Sequence, residues 1–225
     1  MKKRCFIAGA GEYCGSFNPS EDDFIIAADG GFAELISRGI MPDLVVGDFD
    51  SLGSVPDHPN ILLTPAEKDD TDMMTAVKEG LSLGFKEFII DGGLGGRLDH
   101  SYANFQLLAY LTQRESRGYL LGDAMTITAI SNESISFVPS AAGFVSIFCA
   151  GSIADGVSIK GLKYPLENAA LTCNYPLGVS NEFTGASATV AVNNGILLIM
   201  WTGGLEAIKG YRSKQAIDME EHNDF

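Results

Sequence analysis

The chain has 225 residues, 46% apolar and 20% charged, with 29 acidic against 15 basic side chains and a formal net charge of −14. That balance excludes a disordered chain and argues against a nucleic-acid or anionic-membrane partner, either of which needs a basic face. No stretch approaches the roughly 20 apolar residues of a membrane span, and Cys5, Cys14, Cys149 and Cys173, scattered and without a Cys-x-x-Cys pair, read as reduced thiols of a cytoplasmic protein.

The opening MKKRCFIAGAGEYCG has a basic flank, but its apolar run ends at Glu12, short for a signal peptide, and reads as a first β-strand. GAGEYC at Gly9 nearly matches a dinucleotide fingerprint, yet GSFNPSEDD, with Gly15 and Pro19, cannot form the crossover helix which that fingerprint opens. Further strands are FIIAAD, DLVVGD, NILLTP, EFIIDG and GYLLGD. They alternate with the helical patterns GFAELISRG, DMMTAVKEGLSLG (Met73, Met74, Val77 and Leu81 along one face) and LDHSYANFQLLAYLTQRES, an α/β signature. Strands apolar on both faces predict a parallel sheet covered by helices.

After about Asp123 the strands MTITAI, SISFVP, FVSIFCAG, GVSIKGL, AALTCN and ATVAVNNGILLIMW follow closely with no helix between them, and Asn194-Gly195 reads as a hairpin turn. The expected fold is α/β: a parallel-sheet, Rossmann-like domain over residues 1–123, a smaller all-β sandwich over 124–210, and an acidic tail over 211–225.

Asp29-Gly30-Gly31, Asp48-Phe49-Asp50 and Asp91-Gly92-Gly93 each follow a predicted strand, so in a parallel sheet their carboxylates gather at the edge where ligands bind. Singly, each reads as a tight turn or an Asx turn. Together they concentrate negative charge at one edge, which a hard divalent cation such as Mg²⁺ would offset by sharing carboxylates with substrate phosphates. Asp69, Asp70 and Asp72 in EKDDTDMM open a predicted helix, where capping is the plainer role for any one of them. DGGLGGRLDH supplies glycines for close anion approach and Arg97 just before a helix, with Asp99 and His100 in its first turn; for His100 the plainer role is a cap. A Walker loop is absent from the sequence, which excludes a P-loop kinase.

The series ADGG, PDLVVGDFDS, KDDTD and GGRLDH, in this order and spacing, resembles the thiamine pyrophosphokinases of the bacterial branch, and GLKYPL (161–166) and GVSNEF (178–183) look like that family's substrate-side motifs. The resemblance implies transfer of a pyrophosphoryl group from ATP to the hydroxyethyl oxygen of thiamine, giving thiamine diphosphate and AMP, with Mg²⁺. It implies Asp48, Asp50 and Asp72 as metal ligands, and Asp50, Asp72, Arg97 and Asp99 as the catalytic set. ATP contacts are implied for Asp29, Gly30, Lys68 and Asp69, and for Thr71, Gly95, Arg97 and His100. Tyr164, Ser180 and Asn181 would meet thiamine, Tyr164 covering a ring face of the cationic heterocycle; its plainer reading is a core tyrosine. The same resemblance implies a homodimer whose sites are shared between chains.

Two alternatives stay open on the residues alone. GDFDS fits a haloacid-dehalogenase-like phosphatase with an Asp nucleophile, although there the motif sits on the first strand, and here on the third. A non-catalytic thiamine- or nucleotide-binding protein is the other.

Overall fold

The computed structural model describes residues 4–15, 19–49, 53–65 and 67–211, and the chain divides into two compact units, Met1–Asp123 and Ala124–Phe225. Asp50 and the tail beyond Tyr211 lie outside the described residues.

The first unit is built on β1 (Arg4–Ala8), β2 (Asp23–Ala28), β3 (Leu44–Gly47), β4 (Ile61–Leu63), β5 (Glu87–Asp91) and β6 (Arg117–Leu121), in the order β6-β5-β1-β2-β3-β4 with every pairing parallel. These runs are rich in Ile, Val, Leu and Phe and, apart from the edge strand β4, mostly buried, as a sheet with helices packed on it requires. A double hydrogen bond from Arg4 Nε and Nη2 to the Asp23 carboxylate, at 2.8 and 2.9 Å, fixes the register of β1 against β2 at their amino ends. The helices α1 (Gly31–Ser37) and α2 (Asp72–Ser82) pack on β1 and β2, and α3 (Leu98–Thr112) on β6.

The buried face of α2 is Met73, Ala76, Val77 and Gly80. It is turned from the expected stripe, because Gly80 is where the helix touches the sheet: a Cβ there would lie 2.5 Å from the Phe88 ring. The larger Met74 and Leu81 are therefore left half-buried. On α3 the inner stripe is Ser101, Asn104, Leu108 and Leu111, polar at its start and apolar at its end.

The second unit is all β. Strands β7 (Met125–Ser131), β9 (Phe144–Cys149), β12 (Gly178–Glu182) and β14 (Ile196–Thr202) pair in the order β12-β9-β14-β7, and β8 (Ser134–Phe137), β10 (Ile153–Lys160), β11 (Leu166–Thr172) and β13 (Ala188–Ala191) in the order β11-β10-β13-β8. Phe137 of β8 meets Trp201 of β14 edge-on at 5.5 Å, joining the two layers, and both rings are solvent-free. The expected hairpin at Asn194-Gly195 is corrected: β13 pairs β8 and β10, whereas β14 pairs β7 and β9, so the turn passes the chain between layers. Gly195 takes φ +107 and Asn194 bonds to Asp155 of β10, so the turn residues serve a layer crossing, not a ladder. No helix among the described residues is long and apolar enough to cross a membrane.

Candidate active site

Parallel pairing brings the carboxyl ends of β1, β2, β3 and β5 to one edge. The loop after β1 runs against the loop after β5: the Gly9 N–H donates to the Asp91 carbonyl, Gly11 to Gly92 and Glu12 to Leu94, at 2.7 to 2.8 Å. A Cβ on Gly9 would lie 2.5 Å from the Gly92 oxygen, and one on Gly11 2.2 Å from the Leu94 oxygen, so side chains at either position would part the loops. Beside this seam lies a cavity of about 300 Å³, whose lining includes Asp29, Thr71, Asp72, Gly95, Arg97, His100 and Asn104. Six residues predicted from separate motifs thus meet at one opening. Gly9, Gly11 and Asn104 join them.

Two chain reversals at this edge use left-handed backbone without glycine: Asp29 at φ +47 after β2 and Phe49 at φ +59 after β3. Such geometry is costly for a side chain and persists where the surroundings enforce it. Phe49 is anchored at 2% exposure, and β3 has already ended at Gly47, which leaves Asp48 on the turn.

Lys68 is the hub of the acidic cluster. Its ammonium donates to Asp48 Oδ2 at 3.2 Å and Thr64 Oγ1 at 3.0 Å, and pairs with Asp72 Oδ1 at 2.9 Å. The Thr64 hydroxyl donates in turn to Asp72 Oδ1 at 3.3 Å. Burial works against the Lys68 charge, but the hydrogen bonds to Asp72 and Asp48 outweigh it and hold the ammonium above its ordinary value. Capping falls to Thr71, whose Oγ1 accepts from the Met74 N–H at 3.1 Å, and Asp72 follows in the first turn, where the helix dipole favours it. Asp70 instead pairs with Lys78 on the surface, and Asp69 is exposed.

Arg97 precedes α3 and forks onto Asp99, Nη2 to Oδ2 at 2.6 Å and Nε to Oδ1 at 3.2 Å; that hydrogen bonding pulls the Asp99 carboxyl below its usual range. Both are largely exposed. Asp99 Oδ1 also accepts the His100 N–H at 3.0 Å. Gly30, Asp48, Lys68, Asp69 and Asp99 do not line the cavity. Asp48 and Lys68 connect to it through Asp72, and Asp99 through Arg97. Gly30 caps α1 and faces Ala10.

Asn104, buried and donating to the Gly93 carbonyl at 2.7 Å, escaped sequence reasoning, although its position seven residues after Arg97 on the same stripe as Leu108 and Leu111 is a usable signal. Gly9 and Gly11 were legible as a glycine loop but set aside with the fingerprint. Asp91 ends β5 fully buried; Oδ1 accepts the Cys14 and Gly92 N–H groups at 2.8 and 2.9 Å, while Oδ2 has no partner among the described residues. Burial raises this carboxyl to about 6 against those stabilising bonds.

In the β unit Asn181 is 4% exposed and clamps the backbone of Tyr164, accepting its N–H at 2.9 Å and donating to its carbonyl at 2.7 Å. Tyr164 itself is 57% exposed, which corrects the core reading, and Lys163, paired with Glu182, lies 5.4 Å from its ring centre. Ser180 is exposed at φ +56, at a register shift where β12 bends against β9.

Among the described residues no group of three His, Cys, Asp or Glu could hold a metal ion. Two carboxylates converging on a single cation, Asp48 and Asp72 around Lys68, are nonetheless a donor set that fits Mg²⁺, which takes one or two carboxylates and completes its shell with water and phosphate oxygens.

Residues 19–120 match the family model described as thiamin pyrophosphokinase, catalytic domain, and residues 132–197 match the one described as thiamin pyrophosphokinase, vitamin B1 binding domain. The chain is 28% identical over 192 residues to the thiamine pyrophosphokinase of Bacillus subtilis (strain 168), covering 78% of this chain and 85% of that protein. It is 27% identical over 175 residues to thiamin pyrophosphokinase 1 of Caenorhabditis elegans, covering 71% of each. The crystal structure of thiamin pyrophosphokinase from Geobacillus thermodenitrificans superposes with a TM-score of 0.76 at 26% identity, over 91% of this chain and 99% of that one. That from Bacillus subtilis gives 0.78 at 24%, over 90% and 100%, a likeness of fold. The phosphatase and binding-protein alternatives gain no support from these matches. The chain belongs to the thiamine pyrophosphokinase family.

Proposed function

We propose that this thiamine pyrophosphokinase binds ATP at the glycine-loop cavity of its Rossmann-like first unit and thiamine at the Tyr164 turn of its β unit. In the transfer, the hydroxyethyl oxygen of thiamine bonds to the β-phosphorus of ATP. The bond from that phosphorus to the oxygen bridging to the α-phosphate breaks, AMP leaves with the oxygen, and the hydroxyl proton is released.

The observation that carries the reading is the glycine-lined cavity, with Arg97 in its lining and Asp72 joining it to the Asp48–Lys68–Asp72 cluster. Phosphoryl transfer asks little covalent chemistry of a protein and depends on positioning and charge. Asp48 and Asp72, with Asp50 outside the described residues, would hold Mg²⁺, which when bound supplies neutralising charge to phosphate oxygens. Arg97, oriented by Asp99, balances the charge on the departing AMP. Asp29, Thr71, Gly95 and His100 shape the nucleotide opening, and Lys68 reaches it through Asp72, with Asp69 next to it in the chain. Asn181 orients Tyr164, whose exposed ring suits a thiazolium or pyrimidine face, and Ser180 adds a polar contact.

The domain division is 1–123 for ATP and Mg²⁺ and 124–210 for thiamine, with no role given to the acidic tail 211–225. The enzyme is a cytoplasmic homodimer, each site combining the first unit of one chain with the β unit of the other. Refolding Asp72→Asn together with Asn181→Ala then returns about a quarter of full activity, since each heterodimer keeps one intact site. No recovery in verified heterodimers removes the shared site. The reaction itself is tested with ATP, Mg²⁺ and thiamine: stoichiometric AMP and thiamine diphosphate are expected, and release of ADP, or of phosphate alone, overturns the assignment.

A further inference from the structure

Lys68 stands apart from the other lysines that pair with carboxylates. Lys78 with Asp70 and Lys163 with Glu182 are open surface pairs, each side chain more than a third exposed. Lys68 is 15% exposed, Asp48 21% and Asp72 23%. Its ammonium has three N–H groups and three acceptors around it, Asp48 Oδ2, Asp72 Oδ1 and Thr64 Oγ1, all within 3.2 Å. Among the described residues it is a cation shared by the two carboxylates. A divalent ion taking the two oxygens that now face the ammonium would compete with it directly, and the two cations would repel each other.

We propose that Lys68 is a built-in counter-cation that occupies the Asp48–Asp72 pair in the metal-free chain and must be displaced for a divalent metal to enter. The inference rests on the reading of Asp48 and Asp72 as metal ligands. Lys68 lies on the loop between β4 and α2, four residues before Asp72 at the start of α2, and its ammonium ties that segment to Asp48 at the end of β3. Its role is to position and neutralise the ligands, and it lowers metal affinity in the absence of substrate.

The test uses Mn²⁺ alone, titrated into the full-length, nucleotide-free protein and read by electron paramagnetic resonance. Lys68→Met is expected to bind Mn²⁺ at least about tenfold more tightly than wild type, because a competing charge has gone. Its metal-free melting temperature should fall and be regained with Mg²⁺. Lys68→Gln, which keeps a hydrogen-bond donor without the charge, should tighten binding in the same direction. Asp72→Asn should weaken it. If both Lys68 variants bind Mn²⁺ no better than wild type while Asp72→Asn still loses binding, the counter-cation role is overturned and the metal reading stands. If Asp72→Asn binds as wild type does, the metal reading fails and this proposal with it. Should the Lys68 variants not fold, wild type carries the test: acylation of Lys68, followed by mass spectrometry, must rise when Mg²⁺ is added, and unchanged labelling overturns the proposal.

Discussion

In the α/β unit the candidate site is made of strand ends and loops that leave no room for side chains at Gly9 and Gly11, with charge brought in by Asp48, Lys68, Asp72 and Arg97. In the β unit it is one buried amide, Asn181, holding an exposed aromatic turn at Tyr164. The first region offers preorganised charge beside a glycine-lined cavity, and such charge acts where charge develops during a reaction. The second offers a flat ring and a fixed backbone, which recognise a ligand without changing it. The contrast matches the proposed division between chemistry and recognition, which substitutions in one region at a time can test.

The largest expected effect is on chemistry. Asp72→Asn should lower kcat by about a hundredfold or more with the melting temperature nearly kept, because a charge facing the phosphates is removed from a folded site; unchanged turnover would remove Asp72 from the reaction. Arg97→Lys should cost about tenfold in kcat/KM for ATP, since an ammonium cannot reproduce the planar fork now held by Asp99. Full activity in that variant would make Arg97 structural.

The smallest effect concerns stability. Asp91 titrates at about 6 when folded, above its unfolded value, so the folded chain holds a proton that the unfolded chain has released between about pH 4 and pH 6. Its contribution is therefore most favourable below that window and is lost as pH rises through it. Asp91→Asn should gain stability over wild type by urea denaturation at about pH 7.5, on the order of 2 kcal/mol, and much less at about pH 4.5. An equal difference at both values contradicts the titration.

Much of the first unit was legible because most of its strands are apolar runs and its helices have helical spacing, α2 with a Thr71 cap; Asp29 and Asp48 at strand ends followed from parallel strand order, and Asp72 and Arg97 from their places at helix starts. What depended on tertiary contact was not. The ammonium of Lys68 between two carboxylates, the seam that makes Gly9 and Gly11 part of the cavity, and the turned face of α2 at Gly80 each need a partner distant in sequence. In the β unit β12 was invisible as a strand, since Gly178, Ser180 and Asn181 are turn formers and only edge pairing with β9, across a register shift, extends them. Asn194-Gly195 misled for the opposite reason: its local chemistry is that of a hairpin, and the layering of the two sheets overrides it.

The division between chemistry and recognition is tested most directly by calorimetric titration of thiamine alone into Asp72→Asn and Asn181→Ala. Asp72→Asn should bind thiamine within about threefold of wild type, whereas Asn181→Ala, with the Tyr164 turn released, should lose at least about tenfold. Equal losses in the two variants, or a loss confined to Asp72→Asn, would contradict the assignment of thiamine recognition to the β unit.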